Sequence, residues 1–99
     1  MILDVNAAAI GVSAATESGI SAEMGTATAV AAGALTAVLP MGADLDSLEF
    51  AAVLNAVGAS YIGTASEHVV TRNEFAGAED VAAGTYVATD VINNASLAL

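Results

Sequence analysis

The chain of 99 residues contains no cysteine and one proline, and its single arginine, Arg72, is its only Lys or Arg against eleven Asp and Glu. Each scarcity closes off chemistry. Without cysteine there are no disulfide staples, no thiolate metal sites and no thiol nucleophile. A formal charge of −10 repels phosphate backbones and anionic membrane surfaces, so nucleic acid is excluded as a natural partner. Aromatics are 4% of the chain, too few for a compact α/β enzyme with a deep pocket. Much of the 57% hydrophobic content is alanine, which buries little area per residue, so a core made by this chain alone would be thin. The N-terminus lacks a basic region and shows no cleavable leader. Residues 27–43 are almost free of polar groups, but they fall short of the roughly 20 residues of a spanning helix and contain Pro40. Export, if it occurs, would need another route.

What remains is helical. The sequence reads as all-α, a long antiparallel two-helix hairpin over 1–83, with helix 1 at about 5–38, a turn at 39–44 and helix 2 at about 45–83; a tail follows at 84–99. Pro40 stops the first helix and disfavours helix at Leu39. Gly42 permits a sharp turn, and either Asp44 or Asp46 can cap the second helix, Asp46 with Glu49 at capping-box spacing. Gly11, Gly19, Gly25 and Gly33 weaken helix 1 and are expected to let helices approach closely. Leu3, Ile10, Met24, Ala31 and Val38 recur every seven residues, with Glu17 in the same seam as a flaw or a polar contact. Val5, Val12 and Val30 lie roughly opposite.

Helix 2 carries two stripes of alternating four-three spacing. Phe50, Leu54, Val57 and Tyr61 continue through Thr64, His68, Thr71 and Phe75. Leu48, Ala52, Asn55, Ala59, Ile62, Ser66 and Val69 form the other. Such spacing marks helices packed side by side at a shallow angle. One hairpin covers only one stripe. The other asks for an outside helical partner and a four-helix-type bundle. The expected partner-binding set is Leu3, Ile10, Met24, Leu35, Phe50, Leu54, Val57, Tyr61, Ile62 and Phe75, with the inward stripe left open.

Catalytic chemistry finds little to work with. His68 is the only histidine, and adjacent Glu67 does not share its face. One histidine with scattered carboxylates gives no metal spacing, and Glu74, Glu79 and Asp80 read as a solvated acidic face. No glycine pattern forms a phosphate loop. No enzyme, cofactor, metal or small-molecule substrate is expected. Arg72 reads as one half of a local ion pair. Tyr86 and Asp90, four apart in Tyr86-Val-Ala-Thr-Asp90, share one helix face. Taken alone, the pair reads as the frayed end of a helix.

The stretch from Ala34 to Leu48 (ALTAVLPMGADLDSL) and the YxxxD string at Tyr86 to Asp90, at their separation, resemble the inter-helix turn and the secretion signal of the mycobacterial PE proteins, in their short form of little beyond the PE domain. The chain has Ala7-Ala8 where that family carries its Pro-Glu pair. The resemblance implies a heterodimer with a PPE protein and export of the folded pair through a type VII (ESX) secretion system. It implies an EspG-type cytosolic chaperone acting through the PPE subunit, and Tyr86 and Asp90 as signal residues. The protein would be cytoplasmic before export, then secreted or associated with the cell surface. A membrane-associated or self-assembling hairpin of the cell envelope is the alternative.

Overall fold

The computed structural model describes residues 4–98, and among them there are two helices and no strand: α1, Ala7–Thr36, and α2, Leu45–Leu97. The residues group into two compact units, Met1–Ile20 with Thr71–Leu99, and Ser21–Val70. In each unit one arm comes from α1 and one from α2, running antiparallel. The all-α hairpin expected from the heptad spacing is what forms.

The helix ends follow from named side chains. Asn6 caps α1: its Oδ1 accepts the Ala9 N–H at 3.0 Å, answering one of the four orphan donors of a helix start. At the other end the Ala37 N–H still reaches the Gly33 carbonyl at 3.0 Å. The next donor, Val38 N–H, turns instead to Asn55 Oδ1 at 2.8 Å, and Asn55 Nδ2 donates back to the Val38 carbonyl at 3.2 Å. That diversion, followed by Pro40, ends α1. Of the two candidate caps for α2, Asp44 is the one used: its Oδ1 accepts the Ser47 N–H at 2.9 Å and its Oδ2 accepts the Ser47 hydroxyl at 2.8 Å. Gly42 lies in the bend at 41–44, as expected of it, without adopting a left-handed conformation. Its constraint is steric, because a Cβ there would lie 2.8 Å from Asp44 Oδ2.

α2 does not stop at 83. It runs on through Gly84 to Leu97, so the expected separate tail is helical over its described length. No proline or strong capping residue interrupts it, and the Thr85 and Ser96 hydroxyls donate to the Val81 and Ile92 carbonyls at 2.8 and 3.0 Å within the helix. One glycine, at a cost of about 1 kcal/mol, is not enough to end a helix.

The seams are built from small and polar residues. In the unit Ser21–Val70, α2 turns Ala51, Asn55, Gly58, Ile62, Ala65 and Val69 inward, a four-three heptad run. A Cβ at Gly58 would fall 1.8 Å from the Leu35 carbonyl oxygen, so the two backbones touch there, and only glycine fits. Ser21 is fully buried and donates to the Val69 carbonyl at 3.0 Å. In the other unit, Ala14 and Ala76 are buried, Glu17 pairs with Arg72, and Ser13 donates to Glu79 Oε1 at 3.0 Å. One open alternative is settled here, and three expectations change. Glu17 is a polar contact rather than a flaw, and Arg72 bridges two helices rather than pairing locally. Glu79 is turned into the seam, with Oε2 buried and without a hydrogen-bond partner among the described residues, instead of lying on a solvated face. The α1 glycines do not serve close approach: a Cβ at Gly11, Gly19, Gly25 or Gly33 would meet no described atom within 4 Å.

Candidate functional site

The seam leaves the larger side chains outside. Among the described residues the buried hydrophobic side chains are Ala14, Ala51 and Ala76 alone. The first α2 stripe is the outward one. In the unit Ser21–Val70, Phe50 is 56% exposed and Val57 and Tyr61 are each 61% exposed, with Leu54 less so. Thr64 and His68 continue it and are also exposed. Phe75, on the same spacing in the other unit, is 54% exposed. The second stripe is split: Asn55, Ile62 and Val69 are half-buried at the seam, while Leu48, Ala52, Ala59 and Ser66 are exposed.

The expected partner-binding residues therefore divide. Phe50, Leu54, Val57, Tyr61 and Phe75 present themselves to the outside. Ile10, Met24, Leu35 and Ile62 are half-buried in the register of the chain's own seam, and Leu35 packs against Gly58. Leu3 lies outside the described residues. Leu54, Val57 and Tyr61 also line a shallow groove of about 300 Å³ with Ala34, Leu35 and Val38. A second groove of about 390 Å³ runs beside Gly25, Thr28, Ile62 and Val70. Both are walled mostly by aliphatic carbon, with no titratable group other than the phenol of Tyr61. That suits packing against another helix. Among the described residues no cluster of three or more His, Asp or Glu could hold a metal.

Tyr86 and Asp90 lie in the unit of Met1–Ile20 and Thr71–Leu99. Tyr86 is 41% exposed and Asp90 is exposed. They line a groove of about 310 Å³ with Thr89 and with Asp4 and Val5 from the segment ahead of α1. Asp4 and Val5 were not singled out from sequence as neighbours of this pair. Nothing local signals them, since the contact spans the whole length of the hairpin in sequence. The inward run Ala51, Gly58, Ala65 was legible in principle, being three small residues seven apart.

The family whose model matches the chain is the PE family, over residues 3–93. None of the curated proteins matches the chain, and none of the solved structures does.

Proposed function

From the chain's membership of the PE family we propose that it is a non-enzymatic subunit that pairs with a PPE protein and leaves the cell with it through a type VII (ESX) secretion system. The observation that carries this reading is the inversion of the hairpin: alanine, serine and glycine inside, Phe50, Leu54, Val57 and Tyr61 outside. An exposed apolar stripe at helical spacing is an unfilled helix-packing surface. Two helices of the partner laid on it complete a four-helix-type bundle. An EspG-type chaperone would hold the PPE subunit before export, and Tyr86 and Asp90 would serve as the targeting signal. The protein would be cytoplasmic first, then secreted or held at the cell surface.

The test is coexpression of a tagged chain with a PPE-like partner encoded beside it, in a host with a type VII system. Wild type is expected in the culture supernatant or surface fraction. Tyr86→Ala and Asp90→Ala should co-purify with the partner yet stay in the cell. Export of both variants at wild-type levels would refute the signal assignment, and failure to co-purify a partner would refute the heterodimer.

One observation favours the alternative, an envelope-associated hairpin: α2 contains an 18-residue window of mean hydropathy 1.2, of which 11% is buried. Flotation with liposomes, with and without anionic lipid, separates the readings, because a PPE-binding subunit stays at the bottom of the gradient.

A further inference from the structure

The inward register of α2 does not end where α1 begins. From Arg72, Ala76, Glu79 and Ala83 the same four-three spacing reaches Tyr86 and Asp90. α1 starts only at Ala7, so among the described residues these two side chains sit on seam positions with no helix opposite them. The segment that answers them is Asp4 and Val5, which closes the groove of about 310 Å³ with Thr89. The groove is open to solvent and of mixed character. Its lining residues include one tyrosine, two aspartates, a valine and a threonine. The chain's one Lys or Arg, Arg72, is committed to Glu17, so no lysine or arginine of this chain is available to the Asp4 and Asp90 pair.

We infer that the surface read in export is this whole groove, Asp4 and Val5 included, and that its occupant is a Lys or Arg side chain presented by a protein receptor. A cationic head between two carboxylates gains charge-assisted hydrogen bonds, and its aliphatic stem or guanidinium plane lies on the tyrosine ring. Tyr86 then supplies a stacking face and Asp90 one of two acceptors, with Asp4 the other. This rests on the export reading above and extends it to residues that no YxxxD string contains.

The experiment is the export assay on the full chain coexpressed with its partner, adding Asp4→Asn, Asp4→Glu and Asp4→Lys to Tyr86→Ala and Asp90→Asn. Partner co-purification and a thermal melt of each complex are read alongside. Asp4→Asn should lower export about tenfold, as Asp90→Asn should, the size expected for one lost charge-assisted contact. Asp4→Glu should restore most of it, and Asp4→Lys should be at least as impaired as Asp4→Asn. Co-purification and melting should be unchanged throughout, since Asn6 and not Asp4 caps α1. If Tyr86→Ala and Asp90→Asn block export while Asp4→Asn and Asp4→Lys leave with wild-type efficiency, the composite groove is wrong and the signal assignment survives. If Tyr86→Ala and Asp90→Asn are themselves exported normally, the export reading fails and takes this inference with it.

Discussion

At the scale of single residues, the structure is most exacting where side chains are smallest. Gly58 touches the Leu35 backbone, and a methyl group there has nowhere to go, because its neighbour is a carbonyl and not a flexible side chain. Gly58→Ala should destabilise the hairpin by about 1–3 kcal/mol. Gly63→Ala, where a Cβ would meet no described atom within 4 Å, should stabilise it by about 0.4–1 kcal/mol. Circular dichroism melts of the two variants make the comparison. Asp44 gives a pH signature. The backbone N–H and then the hydroxyl of Ser47 hold its carboxyl below the ordinary 3.8. A group depressed in the folded state stabilises above its unfolded value and loses that contribution as pH falls through its folded value. The Tm difference between wild type and Asp44→Ala should therefore be full at pH 7 and shrink as the pH drops below 3.8.

At the scale of elements, α1 begins with an acid-free first turn under a lone asparagine cap. Ala7-Ala8 occupies its first two positions, where a proline is pre-organised for the helix and an acid complements the dipole. Ala8→Glu should raise the stability of the start of α1 by about 0.3–1 kcal/mol at low salt, read as a Tm increase that fades on adding salt. The two helices and the turn between them were legible because Pro40, the Asp44 region and the heptad spacing are local signals. The end of α2 was not, because Gly84 looks like a stop and only the absence of a stronger one lets the helix run to Leu97. The inward face of α2 was hidden for a different reason. Large apolar residues draw attention to the Phe50–Tyr61 stripe, yet the small residues between the two conspicuous stripes are the ones that let the backbones meet. Of the terminal groove, the Tyr86 and Asp90 half could be read from spacing, while Asp4 and Val5 needed the fold.

At the scale of the whole molecule, the buried apolar side chains among the described residues are three alanines. Burial at about 25 cal/mol per Å² offers little from alanine against the entropy of ordering a helix. The purified chain alone should melt at low temperature or low urea. Coexpressed partner at about a hundred times its Kd should add about 2.7 kcal/mol, which the urea midpoints of the chain with and without its partner would show. Phe50→Asp should abolish that gain while leaving the lone chain's midpoint nearly unchanged, because Phe50 is outside the seam. A repeat of small residues every seven positions also has a symmetry problem. Sliding one arm of the unit Ser21–Val70 by a heptad again sets small residues against the other arm, but it brings Ala51 or Ala65 to the place where only Gly58 fits against the Leu35 carbonyl. The paired hydrogen bonds between Asn55 and the Val38 backbone exist at one setting only. Together with Gly58 they act as index marks on a vernier, and a hairpin that lost both would show as a mixture of shifted alignments rather than as a loss of helix.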